Sequence, residues 1–308
     1  MLRALRARFP ETTIALTGPV AHLVAPGPLA DRLLAPPPRW PLSPGWLQGI
    51  RRDQFDVALI LPNSFQSALA IHLAGIPRRI GYAADGRSWL LTEAPPRPKG
   101  VHQAEAYIGL LSILGVVAPA LSLDYPIRSE TEAEADRLWE RVGLGKRPTV
   151  GIHLGAAFGP SKLWWPERYA LLAERLRSRH GVDVVFLGSP GERQLWQRIE
   201  RLLDHPAPSL VGQDRLEILP ALLRRCRVLI SGDTGAMHLA AAVGVPVVAL
   251  FGPTDPRLTR PLGERHVVIW KHVPCAPCFL PRCPIDHPCM GQISVEEVEA
   301  AVARALSR

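Results

Sequence analysis

Apolar positions along the chain fall into short β-branched runs that alternate with helical spacings, and they do so twice. In the first half, residues 12–16 and 55–61 read as strands and 79–82 as a short extended piece. Residues 2–9, 65–74 and 102–114 carry apolar side chains at helical spacing; Pro62-Asn63-Ser64 caps the second of these, and Gly75 and Pro77 stop it. Residues 26–45 are proline-rich and read as a surface loop. A charged helix over 130–142 leads to a joint at 143–148. The second half then gives strands at 149–154, 182–187, 227–230, 245–251 and 265–269, with a short extended piece at 209–211. Helices interleave at 166–179, 191–203, 216–224 and 236–243, and an amphipathic one closes the chain at 295–306. Strand–helix alternation of this kind predicts an α/β protein with parallel sheets. The pattern divides into two domains, 1–143 and 144–308.

The most informative stretch is 226–256, CRVLISGDTGAMHLAAAVGVPVVALFGPTDP. It parses as strand, tight turn, helix, strand and turn. Two loops therefore sit at the carboxyl ends of neighbouring parallel strands, where open α/β sheets bind ligands. Helix-start amides at Thr234 and Gly235 suit a phosphate, although an ordinary βαβ turn has the same spacing.

Composition narrows the partners. The formal net charge is +8, which favours anionic ligands, but four lysines stand against 32 arginines and the charge is spread along the chain. No basic run with interleaved aromatics occurs, which argues against nucleic acid. The N-terminal segment MLRALRARFP has no apolar core of a signal peptide, and the longest apolar run, 236–251, is interrupted by His238 and Pro246, so a cytoplasmic protein is expected. Cys226 precedes a strand and reads as a small core residue. Cys275, Cys278, Cys283 and Cys289 cluster near the C-terminus, with His272 and His287 nearby; the set reads either as reduced thiols in a proline-stiffened loop or as a structural zinc or iron–sulfur site.

Several segments together carry a resemblance. They are Leu61-Pro62-Asn63-Ser64-Phe65 leading to Ala74-Gly75-Ile76-Pro77-Arg78-Arg79, and Gly155 to Lys162 leading to Trp165-Pro166. With them go Gly232-Asp233-Thr234-Gly235-Ala236-Met237-His238, Gly252-Pro253-Thr254-Asp255-Pro256 and Cys275-Ala276-Pro277-Cys278. The sequence resembles the lipopolysaccharide heptosyltransferases of glycosyltransferase family 9, and the LPNSF and CAPC segments favour those that add the second heptose. The resemblance implies a GT-B fold, two Rossmann-like domains with their sheets facing across a cleft. It implies an inverting, metal-independent transfer from ADP-heptose to Kdo2-lipid A carrying one heptose, with no cofactor. It also implies peripheral contact with the cytoplasmic face of the inner membrane. A relative using another sugar or acceptor, or an inactive nucleotide-sugar-binding remnant, are the other readings.

Carried over by residue, the resemblance gives Lys162, beside Ser161, the donor diphosphate, and Asp233, Thr234 and Gly235 the donor-binding turn. Asp233 also reads as a helix N-cap, and His238 as a packed helix residue. Glu192 matches a family acid that binds ribose, although a first-turn glutamate looks the same. Asn63, Ser64, Arg78, Arg79 and Arg87 lie in the segment resembling the acceptor domain, where arginine suits carboxylate and phosphate; solvated surface arginine is the equal alternative. In the family a strand and a Gly-Asp loop bearing the catalytic aspartate precede the Leu-Arg-Ala-Leu-Arg helix. Here Met1 opens that helix, so a start codon set too far downstream or a shortened gene is expected and no base is assigned; Asp53, Asp56 and Asp85 lie in the wrong motif.

Overall fold

The computed structural model describes residues 1–24, 27–37, 42–117 and 120–307. The chain divides into two compact units, Met1–Leu121 and Ser122–Arg308.

Among the described residues the first unit holds four strands of three residues each: β1 (Ala15–Thr17), β2 (Arg32–Leu34), β3 (Val57–Leu59) and β4 (Arg78–Ile80). β1 pairs with β2 and β3 with β4, both parallel, and among the described residues these are separate two-stranded sheets. Leu34 of β2 and Ala58 of β3 nevertheless pack in one apolar cluster with Ile50, Ala74 and Ile76. Short strands bury little: Leu33 is 43% exposed and Val57 38%.

The second unit is built on one parallel sheet. Its strands are β5 (Thr149–His153), β6 (Asp183–Leu187), β7 (Val228–Gly232), β8 (Val247–Phe251) and β9 (Val267–Trp270), in the order β6-β5-β7-β8-β9. Every residue of β7 and β8 is buried, as expected of strands covered by helices on both faces. One face packs the long helix Pro166–His180 and the closing helix Val295–Leu306, the other packs Leu219–Arg224 and Gly235–Ala242. Gly151 of β5 admits the Cys226 thiol, since a Cβ there would lie 2.8 Å from its sulfur. Burial pushes that thiol up to about 12, so Cys226 is a core residue. The strand order reverses at β5, which opens a crevice between the carboxyl ends of β5 and β7.

Three differences from the sequence reading have local causes. The expected loop over 26–45 contains β2 and the start of helix Pro44–Arg52; part of that loop, 26 and 38–41, lies outside the described residues. Three residues carry no readable period, and β2 exists because β1 pairs with it. The Ser43 hydroxyl caps the helix by accepting from the Trp46 amide at 3.2 Å. The helix over 191–203 is a 3₁₀ turn, Pro190–Glu192, followed by Arg193–Glu200. The third is at the division between the units. Helix Ser129–Arg141 packs with the second, burying Ala135 and Trp139 against Leu219 and Leu222.

Candidate active site

The crevice between β5 and β7 is lined by two loops. β5 ends at His153, and Gly155 begins the first loop by donating its amide to His153 Nδ1 at 3.1 Å. This loop closes in the 3₁₀ turn Pro160–Lys162, and Pro166 then opens the long helix at a position where its missing N–H costs nothing. β7 runs directly into the turn Asp233-Thr234 and the helix Gly235–Ala242. The small residues here have a steric function: a Cβ on Gly232 would meet the Lys162 carbonyl at 3.4 Å, so the two loops approach backbone to backbone.

Lys162 and Asp233, far apart in sequence, form the centre of the site. Lys162 Nζ donates to Asp233 Oδ2 at 2.6 Å and to its carbonyl at 2.8 Å, with both side chains about nine-tenths buried. The Phe158 ring lies 4.8 Å from the same ammonium. Asp233 is therefore the lysine's partner. The N-cap position belongs to Thr234, whose hydroxyl meets Ser231 Oγ at 3.1 Å, and no side chain caps the first turn of the helix. A buried cation beside an uncapped helix start is an anion-binding arrangement. Gly235 is the helix's first residue, and His238 lies half-buried one turn on.

At the end of β6, Ser189 Oγ donates to Glu192 Oε2 at 2.6 Å and accepts from the Gly191 amide at 3.2 Å, which holds the carboxylate at the sheet's carboxyl edge. The second turn, after β8, is fixed by Asp255, which accepts from the Arg257 amide at 2.9 Å and pairs with its guanidinium. Hydrogen bonding to Arg257 holds the Asp255 carboxyl below its usual range.

The sequence reading missed one pair. The Asp214 carboxylate is buried without a hydrogen-bond partner, and its Oδ2 lies 4.0 Å from His153 Nε2. Burial raises Asp214 to about 7; the Glu192 charge adds to this, and the nearby amides of Gly188 and Asp214 offset part of it. Burial lowers His153 to about 4. No spacing rule joins residues this far apart; the only signal was His153 at the end of a predicted strand.

In the first unit the expected acceptor residues are placed as follows. Arg87 is fully buried, donating to the carbonyls of Tyr82 at 3.1 Å, Ser64 at 3.3 Å and Pro62, and to Ser67 Oγ at 3.1 Å and Asn63 Oδ1 at 3.4 Å. It braces the Asn63-Ser64 loop from within. Arg78 pairs with Glu93 at 2.6 Å, and Arg79 donates to the carbonyls of Leu90, Ile76 and Pro77. Ser64 Oγ caps helix Phe65–Leu73.

The cysteines are all free thiols. Among the described residues no three His, Cys, Asp or Glu side chains are placed to hold a metal ion, so the zinc or iron–sulfur reading of Cys275, Cys278, Cys283 and Cys289 has no geometric support. Cys289 is buried and Cys275 exposed; burial raises the Cys289 thiol, and the charges of Cys275, Cys278 and Cys283 add to this. No helix among the described residues is long and apolar enough to cross a membrane.

A parallel-sheet unit with a buried lysine and an uncapped helix start at its switch point describes many nucleotide-binding proteins; comparison with known proteins is more specific. Residues 46–288 match the sequence profile of glycosyltransferase family 9 (heptosyltransferase), and the chain belongs to that family. It is a glycosyltransferase with the GT-B fold. It is 32% identical over 291 residues to lipopolysaccharide heptosyltransferase 2 of Salmonella typhimurium, covering 87% of this chain and 82% of that one. Lipooligosaccharide heptosyltransferase 2 of Haemophilus ducreyi is 32% identical over 284 residues, with 87% and 76% covered. Among solved structures, the E. coli ADP-heptose LPS heptosyltransferase II superposes with a TM-score of 0.83 at 27% identity, covering 99% of this chain and 93% of that one.

Proposed function

We propose that this chain transfers L-glycero-D-manno-heptose from ADP-heptose to the first heptose of the lipopolysaccharide inner core, with inversion and without a metal. The observation that carries this is the buried Lys162 ammonium beside the uncapped start of helix Gly235–Ala242, at the carboxyl ends of β5 and β7. In a single displacement the acceptor oxygen attacks the anomeric carbon as its bond to the diphosphate breaks, and charge accumulates on the departing ADP. A fixed ammonium and helix-start amides stabilise that charge, the task a divalent cation performs elsewhere. On this reading Lys162 and the amides of Thr234 and Gly235 hold the diphosphate, Asp233 orients the loop or meets donor heptose hydroxyls, and Ser161 sets the lysine's backbone. Glu192 meets the ribose, and His238 lines the turn. The second unit binds the donor and the first unit the acceptor, Kdo2-lipid A bearing one heptose, at the cytoplasmic face of the inner membrane. Asn63 and Ser64 are the polar groups of the first unit's ligand loop, braced by Arg87, and Arg78 and Arg79 are its further candidates for the acceptor's anionic groups.

The test is turnover. ADP-heptose and heptosyl-Kdo2-lipid A are incubated with the protein, and the lipid is weighed by mass spectrometry. A product heavier by one heptose, with ADP released in equal amount, is expected. ADP release without lipid product, or transfer only to Kdo2-lipid A lacking heptose, overturns the acceptor assignment. One observation favours a second reading, a protein that binds the nucleotide sugar without turning it over. Asp31 is engaged with Arg6, Asp53 with Arg32, Asp85 with the Phe65 amide and Glu93 with Arg78, so these carboxylates are committed to structure. Tight ADP-heptose binding with no product would establish that reading.

A further inference from the structure

The segment between β9 and the closing helix plays no part in the chemistry above, yet the donor loop is fastened to it. Ser161, the residue before Lys162, is 2% exposed, and its polar groups all end on this segment. Its amide donates to the Pro281 carbonyl at 3.1 Å, its hydroxyl donates to the Leu280 carbonyl at 2.6 Å, and its carbonyl accepts from His287 Nε2. Gly159 has φ +144°, and a Cβ there would lie 2.4 Å from the Pro281 carbonyl oxygen. His287 in turn packs on Trp165, ring centroids 5.4 Å apart, at the end of the same loop.

The second turn leans on the segment too. The Phe279 amide donates to the Pro253 carbonyl at 2.9 Å. A Cβ on Gly252 would lie 2.6 Å from Met290 Sδ and 3.2 Å from Cys289 Sγ. One segment thus backs the loops at the ends of both β5 and β8.

We propose that residues 278–290 are a positioning element for the nucleotide site, that His287 is its principal positioning residue, and that the order of the segment is coupled to diphosphate binding. This role rests on the second unit's holding the donor diphosphate. The Lys162 side chain starts one residue from Ser161, so whatever fixes the Ser161 backbone fixes where the ammonium can reach. A carbonyl can only accept, so His287 contributes an N–H to that contact, and losing it leaves a buried carbonyl without its partner. Coupling is reciprocal: if this segment strengthens diphosphate binding, diphosphate must quieten this segment by the same factor. Its cysteines report that motion. Cys278 and Cys283 are half-exposed, so their alkylation rate follows how often the segment opens.

The experiment uses the full chain and ADP as the probe. Calorimetric titration compares wild type with His287→Ala and His287→Gln, whose amide can still donate. Alkylation of Cys278 and Cys283 by iodoacetamide is followed by mass spectrometry with and without ADP. Expected are an ADP Kd raised about tenfold in His287→Ala, a loss of about 1.4 kcal/mol, and recovery of most of it in His287→Gln. Saturating ADP should slow alkylation several-fold in wild type and not in His287→Ala. Equal ADP affinity in wild type and His287→Ala, or alkylation indifferent to ADP in wild type, overturns the proposal. If His287→Ala fails to fold, wild-type alkylation and His287→Gln still decide. The donor reading fails separately: a wild type that ignores ADP but binds another nucleoside diphosphate overturns the donor assignment, and the same comparison is then made with that nucleotide.

Discussion

Lys162 concentrates the site's positive charge at one atom, so its removal is felt in the transition state. Lys162→Ala should lower kcat/KM for ADP-heptose by about a hundredfold or more, the usual cost of losing one fixed donor to developing charge. Lys162→Arg should fall between, because a planar fork does not replace a compact ammonium held by two oxygens of Asp233. Initial rates at varied donor concentration check both. The buried pair Asp214 and His153 makes a prediction about stability. The folded protein holds a proton on Asp214 more tightly than the unfolded chain, so this residue's contribution falls as pH rises from about 4 to about 7. His153 runs the other way: its contribution falls as pH drops from about 6.5 to about 4. The two oppose each other over the shared range. Asp214→Asn should expose the histidine alone, giving urea midpoints that rise with pH up to about 6.5 and then level. At neutral pH it should be more stable than wild type. A variant whose pH profile matches wild type would refute the burial argument.

At the scale of elements, β5 to β8 were readable because covered strands are near-continuous apolar runs with glycines at or just after their ends. β2 and helix Pro44–Arg52 were not, because proline hides the helix start and a three-residue strand is defined by its partner. The loops after β5 and β7 were readable as turns at strand ends, but not the contact between them: Asp233 looked like a cap and is the ion-pair partner of Lys162. The arginines of the first unit show the opposite limit. A sequence cannot distinguish a guanidinium that waits for a ligand from one, like Arg87, that satisfies its own loop's carbonyls. The most constrained loop position is Gly159. Gly159→Ala places a methyl against the Pro281 carbonyl at a φ that side chains rarely adopt. It should cost about 1–3 kcal/mol and weaken ADP binding, seen in a lowered Tm and a raised Kd. An unchanged Tm would mean the loop does not need this conformation.

Across the whole molecule, stability should be uneven. The second unit buries a five-stranded sheet between two apolar layers, whereas the first, among its described residues, divides twelve strand residues between two separate pairs. Few buried contacts and short ladders mean low local opening energies. Amides of β1 to β4 should exchange with deuterium about a hundredfold faster than those of β5, β7 and β8, as read by hydrogen-exchange mass spectrometry; uniform protection would contradict this. The family was legible because its motifs are spread over both units. What the first unit binds was not, since Arg78, Arg79 and Arg87 are engaged with Glu93 and with backbone carbonyls.

The Lys162–Asp233 contact also makes the resting site behave like an ion exchanger. The lysine already has a counter-ion, tethered on the adjoining loop and therefore at very high local concentration. An incoming ligand binds only by being the better counter-ion. A lone phosphate offers little over the carboxylate it must displace, while a diphosphate can engage the ammonium and the helix start together. AMP and inorganic phosphate should therefore compete poorly with ADP in displacement titrations, and Asp233→Asn should narrow that gap by letting single anions in.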